Sequence, residues 1–198
     1  MRRGKASLPR LALLLIPFVL ACLGIRQSAQ AGYVVTLQQV GPDVVATGSG
    51  AINLHGLTFF TSGSVNSGLR PHILGALGDA FILTGPTSSS VDFYSGGTGP
   101  TSFGSGPFRR PASSGSGDMV GIGEDFFGDV HIIVPTGYVS GTFLSDRATY
   151  SGTTLESFHV TPGTYVWTWG TGANQNFTLQ IRPAVPPPPP GPPVAIRR

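Results

Sequence analysis

An all-β fold, an antiparallel β-sandwich of jelly-roll-like kind, is what this sequence predicts. From Tyr33 onward, short apolar runs alternate with clusters of Gly, Pro, Ser and Thr, and nowhere do apolar residues hold a helical period for three turns. Several runs alternate with period two, the pattern of a strand that buries one face. The 198 residues include 29 glycines and 18 prolines, the turn chemistry that many short strands require.

Residues 1–31 read as an export signal ahead of that fold. Met1-Arg-Arg-Gly-Lys5 is basic, residues 11–20 are apolar, and Ala29-Gln-Ala31 supplies small residues for cleavage between Ala31 and Gly32. Val19-Leu-Ala-Cys22 is similar to a bacterial lipobox, so lipidation at Cys22 is the second processing route; ordinary secretion is the simpler one. The apolar stretch, interrupted by Pro17 and Arg26, is too short for a stable membrane span. Cys22 is the sole cysteine, so the exported domain is expected to hold together without disulfides.

The first strand sets Tyr33, Val35 and Leu37 against Val34, Thr36 and Gln38, and the last sets Phe177, Leu179 and Ile181 against Thr178 and Gln180. In residues 52–59 the apolar phase slips by one at Gly56, which predicts a β-bulge there. Further strands are expected over 42–47, 72–77, 80–84, 91–94, 119–122, 130–134, 138–144 and 164–169, with 130–134 buried on both faces. Thr161-Pro-Gly-Thr164 fits a type II turn. The Gly/Ser/Thr/Pro-rich stretch 95–117 reads as a flexible crossover between sheets, the other reading being a ligand loop. Consecutive prolines after Pro183 favour polyproline II geometry. The expected organisation is a signal over 1–31, one β-sandwich domain over 32–182 and a Pro-rich disordered tail over 183–198.

Charge and composition remove several functions. Without the signal the chain keeps seven arginines against nine acids, a net of −2, with cations paired only at Arg109-Arg110 and Arg197-Arg198. Nucleic acid, which needs clustered cations to displace phosphate counterions, is not an expected partner. Lys5 is the only lysine and lies in the signal, which excludes P-loop, Ser-x-x-Lys and Schiff-base chemistry from the mature chain. No Gly-x-Ser-x-Gly elbow occurs.

Three constellations remain. His55, His72, His131 and His159 are too widely spaced for a paired zinc motif, and His131, in the apolar 130–134 run, is expected to be a hydrogen-bonded core residue. Asp118, Glu124, Asp125 and Asp129 form the densest acidic segment, offering oxygen ligands for calcium or a carboxylate pair for glycoside cleavage. The competing reading, and the favoured one, is that they solvate loops and cap backbone amides. Tyr165, Trp167 and Trp169 share one strand face, either as a row for stacking on sugar rings or as core aromatics, with core packing favoured.

Residues 44–54 (VVATGSGAINL), 115–118 (GSGD), 134–141 (VPTGYVSG) and 161–172 (TPGTYVWTWGTG) together resemble the β-rich passenger domain of exported bacterial proteins that carry a PEP-CTERM sorting signal. The resemblance covers most of residues 33–181 and implies export and association with the envelope or exopolysaccharide; it implies no catalytic residues. This chain departs from that family at its end, where prolines stand in place of Pro-Glu-Pro and an apolar helix, with only Arg197-Arg198 as a basic terminus. The expectation is therefore an exported, non-enzymatic protein of the bacterial envelope or extracellular matrix, without a resident cofactor. The alternative is a carbohydrate-binding module that stacks sugar on Tyr165, Trp167 and Trp169, with calcium at Asp118, Glu124, Asp125 and Asp129.

Overall fold

The computed structural model describes residues 32–72, 80–125 and 127–184. The expected export signal with Cys22 and Ala31, most of the strand expected over 72–77, and the tail from residue 185 lie outside the described residues. The described chain forms thirteen strands: β1 (Tyr33–Val40), β2 (Asp43–Ala51), β3 (Thr58–Val65), β4 (Gly68–Arg70), β5 (Phe81–Thr84), β6 (Ser89–Gly97), β7 (Arg110–Pro111), β8 (Ser114–Gly117), β9 (Val120–Glu124), β10 (Val130–Pro135), β11 (Phe143–Tyr150), β12 (Gly163–Thr168) and β13 (Asn176–Ile181). One 3-10 turn over Glu156–Phe158 interrupts them.

The strands make two sheets packed as a β-sandwich. One has six strands in the order β12-β13-β1-β2-β11-β8, and the other seven in the order β3-β6-β10-β9-β5-β4-β7. All pairings are antiparallel except β1 with β13, which joins the first strand to the last in parallel register, Tyr33 opposite Phe177. Period-two alternation sends Tyr33, Val35, Leu37, Val44, Ala46, Phe177, Leu179 and Ile181 from the first sheet, and Ile82, Val120, Ile122, Ile132 and Val134 from the second, into one shared core. The β10 run is buried on both of its faces.

The seven-stranded sheet is rolled, and chain length dictates the roll. Val65 ends β3 and Gly68 begins β4, three Cα steps that reach at most about 11 Å. In a flat sheet these strands, five positions apart in the order, would stand about 24 Å apart. The sheet therefore curls until its β3 side approaches β4 and β5. On the face turned away from the six-stranded sheet, Leu83, Val91, Met119 and Ile133 form a second, smaller cluster.

Four local expectations are corrected. Residues 52–59 are not one bulged strand: Leu57 N–H closes a turn onto the Leu54 carbonyl at 3.1 Å, Gly56 takes φ +89°, and the chain passes from one sheet to the other. The phase slip records that change of sheet. The bulge lies further along, between Phe59 and Thr61, where β3 gains one residue over β6. Residues 138–142 turn, and the strand expected over 138–144 begins only at Phe143 and continues to Tyr150. Gly163 has no positive φ and opens β12 opposite Ile181, so there is no type II turn; the β12–β13 reversal falls after Trp169, where Asn174 adopts φ +59°. The 95–117 stretch is bound down rather than free, because Phe103 N–H bonds the Pro71 carbonyl, Ser105 N–H bonds the His159 carbonyl, and β8 pairs with β11. Small residues there serve close backbone approach.

Gly115 shows this most directly. A Cβ built on it would overlap the carbonyl oxygens of Gly85 and Arg147, where the end of the six-stranded sheet crosses the segment after β5. We expect Gly115→Ala to destabilise the fold by about 2–3 kcal/mol, the upper part of the overpacking range because backbone cannot step aside. Chemical denaturation would check this, an unchanged midpoint counting against the close approach.

Candidate functional site

The roll encloses a cleft of about 500 Å³ on the outer face of the seven-stranded sheet. Strand alternation builds it. Phe81 and Leu83 of β5 form one wall and His131 and Ile133 of β10 the opposite one, while β9 between them presents Gly123. Phe81 pairs across to Gly123, and Gly123 to His131, so the missing side chain is the space between the walls. A Cβ at Gly123 would meet only Phe81 Cβ at 3.3 Å before atoms at 3.9 Å, confirming an open floor.

The β3 bulge supplies the roof. An extra residue in one strand re-aims its side chain, and here the extra residue, Phe60, lies with its ring 4.9 Å from the His131 ring at a 46° tilt while remaining 62% exposed. Phe93 meets His131 edge-on at 6.5 Å. At the other side the Arg109 guanidinium lies 5.5 Å from the Phe81 ring centroid and donates to the Asn66 carbonyl at 3.1 Å. The Arg70 guanidinium lies over the same ring at 5.7 Å.

His131 is 7% exposed and its Nε2 is 3.1 Å from Asp125 Oδ2. Asp125 Oδ1 accepts the backbone N–H groups of Phe127 and Asp129, each at 2.9 Å. Burial alone would raise the Asp125 pKa, but the His131 bond and these two amides outweigh it and hold the carboxyl below its ordinary value. His131 is thus hydrogen-bonded as the sequence predicts, yet it faces the cleft and not the central core.

The acidic segment does not converge. Asp118 follows β8 and accepts the Ser145 N–H at 2.8 Å, beside the six-stranded sheet, whereas Glu124, Asp125 and Asp129 cluster around the β9–β10 turn. Among the described residues no group of three or more His, Cys, Asp or Glu side chains is placed to hold a metal ion. The calcium expectation for Asp118, Glu124, Asp125 and Asp129 is corrected accordingly: two of the carboxylates already cap backbone amides. Nor are the aromatics an open platform. Trp167 and Trp169 are 4% and 7% exposed, their Nε1–H groups donate to the carbonyls of Pro100 at 2.9 Å and Asn53 at 2.6 Å, and the half-buried Tyr165 hydroxyl donates to Thr161 O at 2.9 Å. The row turns inward because its face of β12 is the one that meets the rest of the core.

The chain matches no protein-family model, no curated protein and no solved structure.

Among the described residues no helix is long and apolar enough to cross a membrane. His55, His72 and His159 are exposed and outside the cleft. A volume of about 500 Å³, mostly apolar walls and a few placed polar groups are together what a small-molecule or sugar site requires. Of its residues, only His131 and the acids stand out as candidates in the sequence. Phe60, Phe81, Phe93 and Arg109 carry no motif, and they meet only because the sheet rolls.

Proposed function

We propose that this chain is an exported, non-enzymatic protein of the bacterial cell envelope or extracellular matrix that binds glycan in the cleft of its rolled sheet. The observation that carries the reading is the exposed Phe60 ring standing over a glycine-floored groove, with Thr61, Ser64 and Asn66 beside it. Pyranose rings present an apolar C–H face and a hydroxyl rim, and this mixture of phenyl face and short polar side chains complements both. Export and envelope association rest on the signal-like residues 1–31 and on the resemblance to PEP-CTERM passenger domains. Binding is the reading taken over hydrolysis because glycoside cleavage uses two carboxyl groups with one held protonated, and of the two acids that line the cleft, Glu124 and Asp125, Asp125, bonded by three donors, is driven the other way.

The test is calorimetric titration of the purified protein with soluble oligosaccharides. Binding is expected, and Phe60→Ala should weaken it about tenfold, a stacking contribution of roughly 1.4 kcal/mol. The melting temperature should stay nearly unchanged, because the ring is mostly exposed. Oligosaccharides that leave the cleft residues unperturbed in heteronuclear NMR spectra would refute the proposal.

A further inference from the structure

We infer that the cleft selects acidic sugars, taking the carboxylate of a uronic acid residue on Arg109; this inference rests on the glycan-binding reading above. Arg109 is exposed at the cleft wall, fixed by its bond to the Asn66 carbonyl and by the Phe81 ring beneath it. Among the described residues no carboxylate pairs with Arg109; two acids line the cleft, Asp125, which is paired with His131, and Glu124, which is buried on β9. A guanidinium has five N–H donors in a rigid fork that matches a carboxylate in two parallel bonds. Here, among the described residues, one hydrogen bond engages the guanidinium, and Arg109 lines the cleft.

The charge arrangement across the cleft gives the ligand a direction. Arg109 and Phe81 stand on the β5 side, and Asp125 with His131 on the β10 side, with Gly123 between. An acidic group is therefore attracted to the β5 side and repelled by the Asp125 carboxylate. A uronic acid fits this polarity: its carboxylate meets Arg109, its ring crosses the glycine floor beneath Phe60, and its hydroxyls reach Thr61 and Ser64. A neutral hexose satisfies the ring contacts and leaves the guanidinium unanswered. Arginine also distinguishes carboxylate by shape as well as charge, so lysine is not its equivalent.

The experiment is a calorimetric comparison of trigalacturonate with the neutral galactose trisaccharide, on the wild-type protein and on Arg109→Gln and Arg109→Lys. The expected result is at least tenfold tighter binding of the acidic trisaccharide at low salt. Arg109→Gln should abolish that margin and leave the neutral affinity in place, Arg109→Lys should restore only part of it, and 1 M salt should shrink it through screening. Unchanged melting temperatures would show that the exposed position tolerates each substitution. Equal affinity for the two trisaccharides, or an acidic preference that survives Arg109→Gln, overturns this inference while glycan binding in the cleft stands. Binding of neither trisaccharide overturns this inference together with the reading on which it rests.

Discussion

Trp167→Ala is expected to remove roughly 3–5 kcal/mol of stability, the cost typical of emptying a buried indole site. The indole is 4% exposed and meets the Phe177 ring edge-on at 6.0 Å. Its Nε1–H satisfies the Pro100 carbonyl, and a Cβ on Gly99 would collide with the indole, so the 98–100 backbone lies directly on the ring. Truncation therefore opens a cavity, strands a carbonyl and loosens the segment whose Thr98 pairs with Thr168. For a domain of this size the melting temperature should fall by about 10 °C or more. The contrast with Phe60→Ala makes the measurement decisive. A Trp167→Ala protein with wild-type melting and lost glycan retention would mean that the row on β12 is a sugar platform and that its inward packing is wrong.

Stability should fall as pH rises from about 4 to above 6, and Asp146 is the reason. Asp146 on β11 sits between the sheets, its Oδ2 receiving the Tyr33 hydroxyl at 2.5 Å and lying 2.8 Å from Thr84 Oγ1 on β5. Burial raises its pKa from 3.8 to about 6, the hydrogen bonds from Tyr33, Thr84 and the Gly48 amide offsetting only part of that cost. Thr84 has one proton and two acceptors, since Val120 O lies 3.1 Å away. A protonated Asp146 resolves the competition by donating to Thr84 Oγ1, which then donates to Val120. Because the folded pKa lies above the unfolded value, the folded state binds more protons between them. The stabilisation is complete below about pH 4 and lost as pH passes about 6, amounting to about 3 kcal/mol. Asp125 and Asp92 act in the opposite sense, because their folded pKa values are lowered: what they contribute is present above the ordinary carboxylate pKa and lost in stronger acid.

Denaturant unfolding across pH 3.5–7.5 on wild type and Asp146→Asn isolates the Asp146 contribution. The difference between the two proteins should trace the loss between pH 4 and 6.5, while the histidines, common to both, cancel. Parallel curves would mean that Asp146 titrates normally. The same burial raises the Tyr33 and Tyr150 hydroxyls, with the Asp146 charge adding to both, so neither tyrosine ionises in this range.

Much of the secondary structure is legible because strand alternation is a local signal. Tyr33, Val35 and Leu37 announce β1 without help from any neighbour, and Phe177, Leu179 and Ile181 announce β13. The edge elements are not legible for a matching reason. β8 is Ser114-Gly-Ser-Gly117, with no apolar period, and it is a strand only because β11 lies beside it to receive its hydrogen bonds. The second half of β11 is equally mute: in Ser145-Asp-Arg-Ala-Thr-Tyr150 a buried carboxylate occupies an inward position, where periodicity looks for an apolar residue.

Residue chemistry along the chain determined an all-β fold rich in tight turns and a domain that, from residue 32 onward, contains neither lysine nor cysteine. These follow from short-range alternation and from which functional groups exist at all. Tertiary structure alone decided that two residues between β3 and β4 force the sheet to roll, that the Phe60 bulge overhangs His131, and that Arg109 comes onto Phe81 at the opposite wall of the same groove. Such a site is an intersection of strands distant in sequence, set by register and curvature, and neither quantity is carried by any single segment.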